Sequence, residues 1–268
     1  MRRWNKNRIV YAVLMVVVVV LFWLAEHYLI PSWKMAGPED SVALPAYVLP
    51  GSSGGDMITH AYYTLEYSEH HEQARWVAYT LTGSQLTEDE RRRPFFQEDP
   101  LVKSISADWR NYKNSGYDRG HLCPAGDRKF SEAAYNETFY TSNISPMDPD
   151  FNAGVWNRLE IQVRNWARKY DTLYVITGGV LSKGLSSIGY EGVTVPRAFF
   201  KIVARQKKGG LETIAFLVPH RESSESLKAF RVSIDHLEEE TGIDFFHMMD
   251  DGAEDRMEEA IEGSAWPF

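Results

Sequence analysis

Three short runs concentrate the residues able to do chemistry. Tyr117-Asp118-Arg119-Gly120-His121-Leu122-Cys123-Pro124-Ala125-Gly126-Asp127 sets one imidazole beside an arginine and a turn punctuated by glycine and proline. Ser142-Asn143-Ile144-Ser145-Pro146 follows, and then a helix opened by Phe151-Asn152. Histidine exchanges a proton near neutral pH because its ordinary pKa, about 6.5, lies close to the working range. A guanidinium offers planar, bidentate donors that stay charged, which suits phosphate. A side-chain amide oxygen is a hard ligand of the kind magnesium takes while keeping several waters. Base, anion-binding cation and metal-binding oxygen fall within about forty residues, the length of one supersecondary unit. Hydrolysis of a phosphodiester needs this set: a deprotonated water, neutralisation of the charge growing on the phosphoryl oxygens, and help for the departing sugar oxygen.

The Asp-Arg-Gly-His run, the Ser-Asn-Ile-Ser-Pro run and the Asn-x-Gly-x-Trp-x-x-Leu-Glu-x-x-x-Arg run from Asn152 to Arg164 together resemble the DNA/RNA non-specific endonucleases of the ββα-metal superfamily. The resemblance extends from about Ile58 to about Phe246; three runs in order and at close spacing make it specific where an isolated Asp-Arg-Gly-His would not be. It implies hydrolysis of both DNA and RNA, leaving 5′-phosphate ends, with Mg2+ or Mn2+ as cofactor. It also implies site roles. His121 would act as general base, with Arg119 and Glu160 completing the catalytic group, and Asn152 would hold the metal. Glu160 would arrange the metal-bound waters, and Arg119, Arg164 and Arg93 would meet phosphate. Arg93 matches the family's upstream arginine, with Arg92 as its rival and a solvated basic loop as the plain alternative. Asn143 joins the substrate-contact group, either orienting the His121 segment or touching substrate directly.

Each of these side chains also has an ordinary structural reading. Asn152 at a helix start is a natural N-cap. Glu160 and Arg164 form an i, i+4 pair worth a few tenths of a kcal/mol when exposed. Asp118 and Asp127 are read as supports of the turn, Cys123 as a small packed side chain, and Trp156, Leu159, Val163 and Trp166 as core.

The elements that must position these groups read as α+β: a central antiparallel sheet flanked by helices, with a ββα-metal unit at the site. The aromatic and β-branched runs at 61–67 and 74–81, separated by polar residues, predict an antiparallel pair. Further strands are expected at 172–177, 198–203 and 213–217, and helices at 152–170 and 233–241. Runs of strands rather than regular strand–helix alternation favour an antiparallel sheet.

Composition narrows the partners. The formal net charge is −8, so a surface that meets a polyanion must be a local basic patch on an acidic body. The single cysteine excludes an intramolecular disulfide and a zinc cluster built from thiolates. Arg2, Arg3, Lys6 and Arg8 precede an uncharged run from Ile9 to Leu24 that lacks an Ala-x-Ala cleavage pattern. Residues 1–30 are therefore expected to form a cytoplasmic basic stub and a single-pass transmembrane anchor, with the membrane as partner and the catalytic domain periplasmic or extracellular. A Pro/Gly/Ser-rich stalk is expected over 31–57, the nuclease domain over 58–249 and an acidic tail over 250–268. Two other functions fit the same residues: an inactive surface protein that captures nucleic acid, and a phosphodiesterase acting on smaller substrates.

Overall fold

The computed structural model describes residues 6–24, 41–208, 210–249 and 266–268. The chain divides into two bodies, Met1–Ser41 and Val42–Phe268. In the first, the valine-rich run forms the helix α1 (Lys6–Leu24). The membrane span expected there does not hold. Ile9–Leu24 rises only about 24 Å at ~1.5 Å per residue, against a hydrocarbon core of about 30 Å. Among the described residues no helix is long and apolar enough to cross a membrane.

The strands of the second body are β1 (Asp56–Thr59), β2 (Thr64–Ser68), β3 (Gln73–Thr82), β4 (Asp118–His121), β5 (Ile144–Met147), β6 (Thr172–Gly179), β7 (Ser187–Ile188), β8 (Val193–Thr194), β9 (Ala198–Lys207), β10 (Gly210–Pro219) and β11 (Arg231–Val232). Its helices are α2 (Glu132–Glu137), α3 (Pro149–Phe151), α4 (Asn157–Tyr170) and α5 (Ile234–Thr241). An antiparallel sheet runs β1-β2-β3-β6-β9-β10-β11, and the expected pair of aromatic runs meets within it, with Thr64 opposite Ala78.

Successive side chains of a strand point to opposite faces, and both faces of this sheet are covered. Val77, Tyr79 and Leu81 of β3 join Leu159, Val163 and Trp166 of α4 in one core. Trp76 and Ala78 join Ile234 and Leu237 of α5 in the other. Burial on both sides explains why β3 reads as a nearly continuous apolar run instead of an alternating one.

Residues 42–57, expected to belong to an extended stalk, are packed against the folded body. Val48 is fully buried on the α5 side, and the Gly51 N–H donates to the Asp244 carbonyl at 2.7 Å. The N–H groups of Ser53 and Gly55 donate to one Glu66 carboxylate oxygen at 2.7 and 2.9 Å. The low count of apolar residues hid these polar anchors. Residues 31–40 of that segment, and the acidic run at 250–265, lie outside the described residues. Beyond that run, Trp266 packs on Trp166 and Tyr170, with ring centroids 5.0 and 5.5 Å apart.

The site unit stands apart from the main sheet. β4 and β5 form a two-stranded antiparallel ribbon that pairs Asp118 with Met147 and His121 with Ile144. Gly120 is required within it, because a Cβ there would collide with the Met147 side chain. The chain then turns at Asp148 into α3, completing a strand–strand–helix unit.

Candidate active site

His121 ends β4 with its ring packed edge-on against Phe139, centroids 5.0 Å apart, and beside Phe96 at 5.7 Å. Its Nε2 is buried and has no hydrogen-bond partner. Burial, with a further push from the Arg93 guanidinium, lowers its pKa to about 4. The imidazole is therefore neutral, and free to accept a proton, across the physiological range.

Asn152 is not the helix cap. That role belongs to Asp148, whose Oδ1 accepts from the N–H groups of Asp150 and Phe151 at 3.0 Å each. The Asn152 Nδ2 instead donates to Asp118 Oδ2 at 3.1 Å. An ionised carboxylate can only accept, so this bond fixes which end of the amide faces Asp118 and turns Oδ1 away. Asp118 thus supports the metal-binding candidate, which goes beyond the turn support expected of it.

Just after Asn152 the helix loosens into a π-type turn over Asn152–Trp156, with Gly154 at φ −96° and ψ −109°. Glu222 occupies the space a Cβ at Gly154 would need, and its Oε2 accepts the Val155 N–H at 2.8 Å. An inserted acceptor of this kind is a known cause of a helix irregularity. Arg158 on the next turn donates to the carbonyls of Ser223 and Glu225, docking the same loop. Glu222 had no sequence signal, being far from the three runs.

The arginines separate into two groups. Arg119 lies over the rings of Phe96, Trp109 and Tyr112, at 5.3, 5.4 and 6.0 Å, and its Nε has no partner. Arg93 lies over Phe96 and Phe139 at 5.4 and 5.9 Å, the rings that also hold His121. Arg91 donates to the carbonyls of Lys129 and Phe130 at 2.7 and 3.2 Å and serves the fold. Arg92 borders a neighbouring cavity together with Arg93. The geometry therefore distinguishes the rivals: Arg93, not Arg92, packs on the aromatic rings that hold the imidazole.

Arg164, expected at the phosphate, belongs to the other group and is paired with carboxylates. Its Nη1 donates to Asp127 Oδ1 at 2.9 Å and lies 3.7 Å from Glu160 Oε2. Asp127 is buried and also accepts from the Tyr79 hydroxyl at 3.0 Å. Lys201 is buried as well, its Nζ 4.6 Å from the Trp156 ring centroid and donating to Thr177 Oγ1 at 3.2 Å. Burial pushes the Glu160 carboxyl up to about 7, opposed by Lys201 and reinforced by Asp127. Glu160 therefore sits at the edge of a desolvated charge cluster, more than the surface ion pair its i, i+4 spacing with Arg164 describes.

Of the two roles expected for Asn143, its surroundings match the orienting one: it is fully buried and both ends of its amide are hydrogen-bonded to backbone. Oδ1 accepts from Cys123 N–H at 2.8 Å, while Nδ2 donates to the carbonyls of Cys123 and Thr138 at 3.0 and 2.9 Å. These bonds tie the segment after His121 to the Thr138 carbonyl. Cys123 is fully buried, its thiol pushed up to about 12. The packing also uses residues outside the three runs. Asp99 accepts from or binds His60 and Ser142, the His60 contact at 2.8 Å, and Arg128 donates to the carbonyls of Tyr62 and Thr80 at 3.1 Å each.

The donor set fits a hard, hydrated cation. Among the described residues no group of three or more His, Cys, Asp or Glu side chains could cage a metal. One oriented amide oxygen suffices for a magnesium-like ion that keeps waters and shares a substrate phosphate.

Fold and site together define a protein of the ββα-metal class. The chain belongs to the DNA/RNA non-specific endonuclease family, whose pattern it matches over residues 40–252. It is 35% identical over 211 residues to Nuclease EXOG, mitochondrial, of Danio rerio, covering 72% of this chain and 62% of that protein. It is 33% identical over 220 residues to Endonuclease G, mitochondrial, of Homo sapiens, covering 75% and 72%. A crystal structure of the EndoG/EndoGI complex matches with a TM-score of 0.71 at 26% identity, over 79% of this chain and 96% of that one. The chain thus spans a little under two thirds of the EXOG relative. The relatives are named as mitochondrial nucleases, which, with the short apolar helix, overturns the expected single-pass membrane localisation.

Proposed function

We propose that the chain is a metal-dependent endonuclease that hydrolyses phosphodiester bonds of DNA and RNA with little sequence preference. The hydrogen bond from Asn152 to Asp118 supports this most directly, because it ties the amide on the helix to the strand that bears Arg119 and His121. His121, neutral by burial, takes the proton from the attacking water. Arg119 and Arg93 hold the phosphate with guanidiniums that, among the described residues, no carboxylate neutralises. Glu160, with Arg164 and Asp127 behind it, supports the hydration of the ion. Bound at the Asn152 Oδ1, Mg2+ or Mn2+ would supply Lewis-acid stabilisation of the phosphoryl group and the departing 3′-oxygen.

The test is cleavage of a closed plasmid and of single-stranded RNA by the full chain in Mg2+, in Mn2+ and in a chelator. Both substrates are expected to be cut only with metal, leaving ligatable 5′-phosphates, and the Asn152→Ala variant should lose the response to metal. Binding without cleavage in every divalent metal would move the protein to the nucleic-acid-capture reading. Turnover of a dinucleotide as fast as a polymer would make it a small-substrate phosphodiesterase.

A further inference from the structure

We propose that His220 is a positioning residue for the metal-binding candidate: its imidazole bolts the turn that carries Asn152 to the main sheet, and so holds the Asn152 amide where a hydrated cation can use it. The role of Asn152 comes from the nuclease reading, on which this rests.

His220 lies just past the end of β10, far in sequence from the three runs. Backbone engages both of its ring nitrogens: Nδ1 meets the Pro196 carbonyl at 2.8 Å, and Nε2 meets the Asp148 N–H at 2.7 Å. A carbonyl oxygen only accepts and a backbone N–H only donates, so the ring is the neutral tautomer with its proton on Nδ1. Burial lowers its pKa and favours that form, against the opposing pull of the Pro196 carbonyl and Asp148. The His220 N–H itself donates to the Arg197 carbonyl at 3.1 Å, so ring and backbone are both mounted on the segment that enters β9.

From the ring, the connection to Asn152 is short. Asp148, whose N–H the ring takes, accepts the Asn152 N–H on its carbonyl at 2.8 Å, and the Asn152 amide then reaches Asp118. Packing follows the same route. The imidazole lies edge-on to Phe151 and Phe199, centroids 5.1 and 5.0 Å away, and beside Tyr117 at 5.9 Å. Phe151 precedes Asn152 and Tyr117 precedes Asp118, so one ring touches the neighbours of both partners in the Asn152–Asp118 bond. Two residues after His220, Glu222 takes the Val155 N–H, so the loop after β10 grips the helix entrance on both sides of Asn152. The unit needs such a mount. Its ribbon is separate from the seven-stranded sheet, and a π-type turn leaves the helix irregular from Asn152 onward. A metal ligand in that setting depends on the bonds behind it for its position.

The experiment separates bonding from packing. His220→Phe keeps a ring among the aromatics and removes both hydrogen bonds, and His220→Leu does the same with a smaller side chain should the phenyl ring not be accommodated. His220→Gln and His220→Asn remove the ring and restore one acceptor and one donor. Three readouts are taken on the full chain: amide hydrogen exchange in chelator by NMR, Mn2+ binding without substrate by loss of the free-ion EPR signal, and plasmid cleavage across a Mg2+ titration. The apolar variant is expected to melt cooperatively and to exchange faster at Asp148 and Asn152 while β3 and β9 keep their protection. Its Mn2+ affinity should fall about tenfold and its half-activating Mg2+ rise by a similar factor, with a smaller fall in the rate at saturating Mg2+. At least one carboxamide variant should recover most of the wild-type affinity. A folded apolar variant that binds Mn2+ as wild type does would overturn the proposal. So would exchange that rises equally across the sheet, or failure of both carboxamides to restore binding. Exchange and Mn2+ binding need no cleavage, so a chain that shows these changes and cuts in no metal loses only the nuclease reading. One that cuts with an unchanged metal response in the apolar variant loses only the role of His220.

Discussion

Two cationic regions flank the same ββα unit and differ in what balances their charge. On the open side, Arg93 and Arg119 rest on the rings of Phe96, Phe139 and Trp109, and no carboxylate pairs with them among the described residues. On the closed side, Arg164 and Lys201 share the interior with Asp127 and Glu160. A ring face attracts a cation without cancelling its charge, so the guanidinium keeps its donors for an incoming phosphate. A buried carboxylate neutralises its partner, and the pair then holds structure in place. Under the proposed function the first region would meet the substrate, and the second would hold the floor beneath it in place.

Four changes would break or sharpen that division. The largest effect is expected from His121→Ala, which should lower kcat by about 100- to 10,000-fold with little loss of stability; single-turnover cleavage of labelled RNA measures it. Retained activity would remove the imidazole from the chemistry. Asp127→Ala, on the closed side, should cost about 1–3 kcal/mol in urea unfolding, because it removes the acceptor of Arg164 and of the buried Tyr79 hydroxyl and leaves Glu160 as the acid of the cluster. An unchanged midpoint would show that the cluster is hydrated and not structural.

The contrast is sharpest between Arg119→Ala and Arg128→Ala. The first should lower kcat/KM about ten- to a hundredfold and leave the unfolding midpoint nearly unchanged, as expected for a lost charge-assisted contact to phosphate. The second removes donors to the Tyr62 and Thr80 carbonyls and should destabilise by about 1–3 kcal/mol, with the specific activity of folded protein kept. The reverse pattern would collapse the distinction between the two regions.

The smallest effect is in pH. Folding raises the Glu160 pKa from 4.5 to about 7, so the folded chain holds a proton that the unfolded chain has released. This contribution is present below pH 4.5 and is lost as pH rises through about 7. His121 has the opposite sign: its pKa falls from 6.5 to about 4, so its contribution is present above pH 6.5 and is lost as pH falls through about 4. Relative to wild type, Glu160→Gln should therefore gain on the order of 2 kcal/mol between pH 4.5 and 7. His121→Ala should instead lose relative to wild type as pH rises from 4 to 6.5. Chemical denaturation at stepped pH reads both slopes, and parallel curves would mean that neither group titrates differently in the two states.

Local signals carried much of this protein. The aromatic and β-branched runs that became β2 and β3, and the helical periodicity of α4, depend on near neighbours and on side-chain period, which are written in the chain. The stalk reading failed because residues 42–57 are held by backbone donors to Glu66 and Asp244, groups that hydropathy does not register. The anchor reading failed on length, where a few residues decide whether an apolar run reaches across a bilayer.

By itself the sequence determined which chemical groups exist and in what order: an imidazole, an amide at a helix start, and arginines before and after them. It also determined the family. Only the tertiary structure decided which cations remain free. Arg164 is paired with Asp127, thirty-seven positions away, and Asn143 is bonded to the backbone of Cys123, twenty positions away. Arg93 is left to face the solvent because its neighbours are rings. The availability of a charge depends on the groups that fold against it, and spacing along the chain does not specify those.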